Sequence, residues 1–397
     1  MQKEPASQTA AQRTSSQTAQ ELEKASRKVV TKDEKLYMAS QWQLMWWRFT
    51  RHKLAVISSV VVLLLYLIAI FVEFLAPYDP NKYYAAYQLN PPMQVRFVDE
   101  QGNFSLRPFV YARTRVRDPF TLAFVYTDDP STKHYLHFFT HTGQKYKMWG
   151  LWESDLHLFG VKEKDAVLFL LGTDRLGRDV LSRVIHGARL SMSIGLVGVA
   201  LSLILGILLG GISGYFGGWI DMVIQRIIEF IQVMPTIPLW MALAASFPLD
   251  WSPARAYFMI TVILSLVGWT GLARVVRGRF LSLREEDFVK AARLAGSDEM
   301  RIIFRHMLPS FLSHIIATVT LAIPSMILAE TSLSFLGVGL KPPVVSWGVL
   351  LQEAQNLRTV ALAPWNLAPA VPVVIAILAL NFMGDGLRDA ADPYQRT

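Results

Sequence analysis

Residues Leu190 to Ile220 read LSMSIGLVGVALSLILGILLGGISGYFGGWI, a run without a single Asp, Glu, Lys or Arg. The hydrocarbon core of a bilayer is about 30 Å thick, and a helix needs about 20 apolar residues to cross it. This run is long enough, and it is not alone. Leu54 to Val72 is free of charge, and Ala256 to Ala273 is clean between Arg255 and Arg274. Phe311 to Ala329 is interrupted only by His314 and ends at Glu330, and Ala361 to Met383 ends before Asp385. A sixth stretch, Ile227 to Phe247, is apolar but carries Glu229 and Gln232, with Pro235 and Pro238 further on. Buried helices of soluble proteins are rarely so long and so free of charge. The chain is therefore read as an all-α membrane protein with six transmembrane helices.

Composition agrees with that reading. The 397 residues are 52% hydrophobic and only 18% charged, too few polar groups for a fully water-exposed surface. Cysteine is absent, which excludes disulfides, thiolate metal sites and cysteine nucleophiles. The net charge is +8, from 39 Lys plus Arg against 31 Asp plus Glu. The bases sit beside the spans and not on a soluble face, so they point to a membrane and not to nucleic acid.

The bases also orient the chain. The first 53 residues are not a secretory signal, since the apolar run starts too late and is too long. Residues 1–35, rich in Gln, Ser, Thr, Ala and Lys, have the composition of a disordered tail. Trp42, Trp46, Trp47, Arg48, Arg51 and Lys53 follow, a set suited to an interfacial helix. This tail and the seven bases from Val276 to Ser310 are separated by an even number of spans. The positive-inside rule places both in the cytoplasm, with the C-terminal Arg388 and Arg396. Arg175, Arg178, Arg183 and Arg189 then run against the rule, and the inner loop Gly214 to Trp219 has no base. Pro77 to Leu171 falls outside and reads as mostly β. One hairpin is expected from Val95–Val98 and Phe104–Leu106, and another from His137–Thr140 and Lys145–Trp149 around Thr142-Gly143.

Enzymatic signatures are missing. There is no G-x-x-x-x-G-K-[ST] loop, no G-x-S-x-G elbow and no H-E-x-x-H. No catalytic residue, metal site or cofactor is expected. His134, His137 and His141 have metal-like spacing, but Tyr, Leu, Phe and Thr between them favour strand, which sends His134 and His137 to opposite faces. Gln225, Glu229 and Gln232 recur at i, i+4 and i+7, a polar stripe on the third span. It serves either as part of a water-filled path or as a network with Arg226 that ties helices together. Pro235 would break that span, and broken helices often line paths; Pro324 could do the same in the fifth. Glu330 is the other intramembrane acid.

The connector between the fourth and fifth spans is the sharpest feature. It reads Arg284-Glu-Glu-Asp-Phe-Val-Lys-Ala-Ala-Arg-Leu-Ala-Gly296-Ser-Asp298. Acids at its start and Gly296 near its end suit a short helix with a terminal cap, and a second helical stretch runs on to His306 before Leu308-Pro309. Apolar residues alternating with charges make it a face for another protein, where a mere connector would be polar.

Lys290-Ala291-Ala292-x3-Gly296, x9, His306-Met307-Leu308-Pro309 resembles the E-A-A-x3-G-x9-I-x-L-P segment of binding-protein-dependent ABC transporter permeases, with Lys290 for Glu and His306 for Ile. Three further stretches are similar to the oligopeptide/dipeptide/nickel branch: Gly172-Thr-Asp-Arg-Leu-Gly-Arg-Asp179, Ser334-Phe-Leu-Gly-Val-Gly339 with Ser346-Trp-Gly348, and Gly384-Asp-Gly-Leu-Arg-Asp389 with Asp392-Pro393. The likeness covers about residues 40 to 395 and is to the "C"-type subunit.

The resemblance implies a type I ABC importer permease fold with a small β-rich periplasmic insert between helices 1 and 2. The layout is then a cytoplasmic tail with an interfacial helix (1–53), a first span (54–76), the insert (77–171) and a permease core (172–397) holding the coupling segment 284–309. Asp287, Lys290, Ala291, Ala292, Gly296, Leu308 and Pro309 would couple to an ATPase, and Gln225, Glu229, Gln232, Pro235 and Glu330 are candidates to line the path. The implied partners are a homologous "B"-type permease, two cytoplasmic ABC ATPases, a periplasmic binding protein that touches the insert and the loop from Lys341 to Gln355, and the lipid of a bacterial inner membrane. Peptide is the expected cargo, with nickel, oligosaccharides and opine-like conjugates as alternatives. An ion-coupled secondary transporter would have to use Glu229 and Glu330 as ligands. A sensor would need a larger output domain than the residues after Met383 supply.

Overall fold

A computed structural model describes residues 40–117, 119–120, 124–163, 166–248 and 251–391. The reading of residues 1–35, and the readings placed on Asp392, Pro393 and Arg396, lie outside them. Helix α1 (Gln41–Arg51) starts in a capping box between Ser40 and Gln43 and leaves its three tryptophans exposed. Its Phe49 packs on Ala55 and Ala390, which seats the helix against the bundle. Helix α2 (Lys53–Ile70) follows at once. A three-stranded sheet (β1 Arg96–Val98, β2 Phe104–Arg117, β3 Phe124–Tyr135) and a two-stranded one (β4 His137–Met148, β5 Trp152–Gly160) form the insert.

The core consists of α3 (Val180–Phe216), α4 (Gly218–Val233), α5 (Thr236–Ala245), α6 (Pro253–Leu283), α7 (Asp287–Leu294), α8 (Leu312–Phe335), α9 (Trp347–Ala354) and α10 (Ala370–Ala391). Among the described residues five helices are long and apolar enough to cross a membrane, and α4 with α5 makes a sixth candidate bent by 89°.

Packing register fixes which ends share a face. Along α3 and α6, Tyr257 donates to Ser193 at 3.1 Å and Ser265 to the Gly198 carbonyl at 3.0 Å. Further along, Gly206 lies on Leu272, Gly210 on Ala273 and Gly214 on Arg277. The numbers rise together, so α3 and α6 are parallel. Glycine spaced at i and i+4 lets the two backbones touch. Between them the chain must recross, and α4–α5 does so: Asp221 pairs with Arg277, Gln232 with Thr270, and Ala244 joins the cluster of Ile260. Helix α8 runs against α3, with Glu330 on Ser191 and Ile327 on Gly195. Helix α10 runs against α8 and ends beside the start of α2, where Gly386 meets Ala55. Helix α1, residues 284–311 and the end of α10 thus share one face, the connector side. The insert and residues 336–369 occupy the other, the insert side.

Several expectations need correction. The helix that carries the second span begins before the charge-free run, at Val180, and ends at Phe216 and not Ile220, because Gly217 and Gly218 take positive φ and turn the chain. At about 1.5 Å per residue, its 37 residues exceed a bilayer. Its first turns carry Arg183 and Arg189, whereas the residues from Leu190 on are free of charge, so the excess length belongs to the insert side. The first span ends at Ile70, short of residue 76, and the last regular helix starts at Ala370, not Ala361. The second expected hairpin does not form around Thr142-Gly143. There β4 only shifts register, and the reversal comes at Trp149-Gly150, both at positive φ.

Candidate coupling surface and translocation elements

The connector is built on the rim of the bundle. Glu286 stands at the N-cap position of α7 without a side-chain bond to it, and the helix ends in a 6→1, 5→2 pattern: Ser297 N donates to the Ala292 carbonyl at 3.1 Å and Gly296 N to that of Arg293 at 3.0 Å. Such a Schellman end requires a left-handed residue, and Gly296 supplies it at φ +77. The chain then continues through Glu299–Arg301 and a wide turn of π-helix, Ile302–Met307, into Leu308–Ser310. Val289, Ile302, Ile303 and Met307 are buried against Phe280, Phe311, Tyr215 and Ile315, so the connector is anchored to α3, α6 and α8 together. Arg293 adds a hydrogen bond to the Tyr215 hydroxyl at 3.3 Å.

What remains exposed is the opposite face. Phe288, Ala291 and Ala295 are open, and Leu294 is 90% exposed. Asp287, Lys290, Gly296 and Pro309 are exposed as well, whereas Ala292 and Leu308 are half-buried. An amphipathic helix that buries Val289 and presents small and apolar residues outward has the form of a docking element.

The intramembrane polar residues do not gather on one path. Gln225 donates to Ser213 at 3.1 Å and Gln232 to Thr270 at 3.1 Å, tying α4 to α3 and α6. Glu229 instead pairs with Arg226 at 2.7 Å on the exposed side. Glu330 is 0% exposed. It accepts from Ser334 at 2.9 Å, Ser346 at 2.8 Å and Ser191 at 3.3 Å, joining α3, α8 and α9 inside the chain. Pro235 stands at the α4–α5 break, while Pro324 sits within an unbroken α8.

On the insert side a buried cluster joins α3 to α9. Arg178 reaches Asp174 at 2.7 Å and Glu353 at 2.8 Å, and Arg183 reaches the same acids at 2.8 and 2.6 Å. Burial opposes ionisation of Glu353, but Arg183 and Arg178 outweigh it and hold the carboxyl below its ordinary range. Arg189 is likewise paired with Glu73 at 2.5 Å. These arginines run against the positive-inside rule on paper, yet they are neutralised within the fold. Glu353 gave no sequence signal, since nothing local links it to residues so far upstream. Asp179 caps α3 by accepting from Ser182 N at 2.7 Å. Burial pushes its carboxyl up to about 7. The three histidines part: His134 lies 3.9 Å from Glu163 and His141 2.5 Å from Asp155, and no three-residue metal cluster occurs among the described residues.

With this geometry set out, likeness to known proteins is informative. The model of the binding-protein-dependent transport system inner membrane component family matches residues 206–397, and that of the N-terminal TM domain of oligopeptide transport permease C matches residues 40–92. A putative peptide permease protein of Brucella suis biovar 1 (strain 1330) is 36% identical over 241 residues, 60% of this chain and 78% of that protein. The chain belongs to the binding-protein-dependent transport system inner membrane component family. Two further permeases align similarly. The dipeptide transport system permease protein DppC of Alkalihalophilus pseudofirmus is 40% identical over 227 residues, 57% of this chain and 72% of its own. The oligopeptide transport system permease protein OppC of Haemophilus influenzae is 38% identical over 226 residues, 57% of this chain and 70% of its own. This permease is thus a multi-pass inner-membrane protein with a small sheet insert between its first two spans. The two family matches leave residues 93–205 between them, and the strands of the insert lie inside that interval.

Proposed function

We propose that this permease is the "C"-type pore subunit of an ATP-driven importer that moves peptides from a soluble binding protein into the cytoplasm. The observation that carries the reading is the anchored connector, with Val289 buried in the bundle and Leu294 exposed on the other face. In this reading the connector side is cytoplasmic, which gathers the basic tail and the bases of 276–310 on one face. Helix α7, with Asp287, Lys290, Ala291, Ala292 and Gly296, docks in a groove of one of two separate ATPases, which perform the hydrolysis. Leu308 and Pro309 hand the displacement to α8. The exposed face of α4, with Glu229 and Pro235 near the break, meets a homologous "B"-type permease and completes the path. The layout in this reading is a tail 1–53, a segment 54–76 whose spanning helix ends at Ile70, an insert 77–171 and a permease core 172–397, with the insert and the loop Lys341–Gln355 receiving the binding protein.

Ion-coupled transport has less support. Its two acids are already engaged, Glu229 by Arg226 and Glu330 by three serines. The test is co-purification of the tagged chain from membranes. Two ATPases and a second permease are expected, and Leu294→Glu should release the ATPases while leaving the chain inserted. A chain that purifies alone and transports in vesicles without ATP would sink the proposal.

A further inference from the structure

The β4–β5 hairpin carries an unusual tip. Its turn is Met148-Trp149-Gly150-Leu151, closed by Leu151 N donating to the Met148 carbonyl at 2.9 Å. Both central residues take positive φ, Trp149 at 50 and Gly150 at 74. Such turns ordinarily take Asn or Gly, so a tryptophan at the first position is a residue worth explaining. Trp149 and Trp152 are exposed and pack together at 5.6 Å, and Leu151 beside them is 70% exposed.

The position of this tip is fixed against the first span. The Trp149 indole donates to the Ile70 carbonyl at 2.8 Å, and its ring lies 5.9 Å from Phe71. Helix α2, of 18 residues, is about as long as the hydrocarbon core is thick, so Ile70 marks the membrane boundary. Beyond it the chain leaves the membrane through Val72–Leu75, and Phe74 meets Phe139 further up the hairpin at 6.1 Å. The hairpin therefore runs back along the emerging chain, with its turn nearest the bilayer. The exposed stripe of α2, through Leu63, Leu67 and Ile70, continues without interruption into Phe71 and the tip. Indoles with a satisfied N–H and an exposed ring are the residues of membrane interfaces.

We infer that the β4–β5 hairpin is a membrane anchor, inserting Trp149, Leu151 and Trp152 at headgroup level into the leaflet on the insert side. The insert is then held at a fixed height and tilt over the bilayer and cannot swing on its stalk.

The chain has no cysteine, so Leu151→Cys gives it a single thiol at an exposed position, and the complex carrying the cysteine-free chain, labelled in parallel, supplies the background from its partners. The purified transporter complex, spin-labelled there and reconstituted into phospholipid vesicles, is tested for collision with oxygen and with a water-soluble nickel chelate. Leu63→Cys, on the exposed stripe of α2, serves as the lipid reference, and Leu106→Cys, 85% exposed on β2, as the water reference. The expected result for the Leu151→Cys label is oxygen access between the Leu106→Cys and Leu63→Cys values and severalfold less chelate access than at Leu106→Cys. Chelate access equal to the water reference would overturn the anchor. Protection from both reagents would also overturn it, by showing that another protein covers the tip.

Discussion

Gly210 has no room for a side chain: a Cβ there would fall 2.5 Å from the Ala273 carbonyl oxygen. Overpacking of this kind costs about 1–3 kcal/mol, so Gly210→Ala should lower the melting temperature of the detergent-purified chain. Its neighbour Gly211 has nothing closer than Phe280 at 3.5 Å, and Gly211→Ala should leave the melt unchanged. Asp179 gives a pH test. Its folded pKa of about 7 lies above the unfolded value of about 3.9, so the folded state holds the extra proton between them. Its contribution is greatest below about pH 4, falls as pH rises to about 7, and is flat above. Asp179→Asn should abolish that slope, read as the difference between the two proteins' melting temperatures across the range. At this scale the sequence motifs were legible but their reasons were not. Gly339, Gly348 and Gly386 prove to be sites of close backbone or helix approach. Ser346 is both the cap of α9 and a ligand of the buried Glu330. These are consequences of contacts between segments far apart in sequence.

Elements were legible where length and lack of charge decide, and they failed where backbone conformation does. The long apolar helices announce themselves. The α3–α4 boundary does not, because Leu190–Ile220 is apolar on both sides of two glycines whose positive φ ends the helix. The second hairpin went astray because Thr142-Gly143 has the chemistry of a turn, whereas the reversal is made by a tryptophan whose left-handed conformation costs about 1–2 kcal/mol. The joint between α3 and α9 can be broken from one side. Glu353→Leu leaves Arg178 and Arg183 buried with Asp174 as their one acid. Removing one partner of a buried ion cluster costs about 3–5 kcal/mol, so this variant should melt markedly earlier and give less inserted protein. At the connector, Val289→Asp should detach α7 from the bundle. Peptide uptake is expected to vanish with membrane insertion intact, measured by transport and by carbonate extraction of the same membranes.

For the whole molecule, the insert packs on the chain that enters and leaves it, with Val110, Leu136 and Val161 buried against Tyr78, Met93 and Phe169. Met93 N donates to the Phe169 carbonyl at 3.0 Å, closing the base on which the insert stands. Replacing residues 95–161 by a short linker uncovers Tyr78, Met93 and Phe169, so it should lower the melting temperature while the spans, which lie outside the deletion, still insert. Uptake that survives unchanged in such a chain would remove the insert as a docking site for the binding protein. A different consequence follows from the pairing of Asp221 with Arg277, which lie 56 residues apart in sequence. The acid sits at the start of α4 and its partner near the end of α6. At about 5–20 residues per second of synthesis, the ribosome delivers the arginine roughly 3–11 s after the aspartate. Throughout that interval the half-made chain holds a membrane-edge carboxylate without its cation. That carboxylate lies at the water boundary, and the Ser213 hydroxyl of α3, made before it, already donates to it, so α4 can wait at the membrane edge with its acid hydrated until α6 brings the arginine.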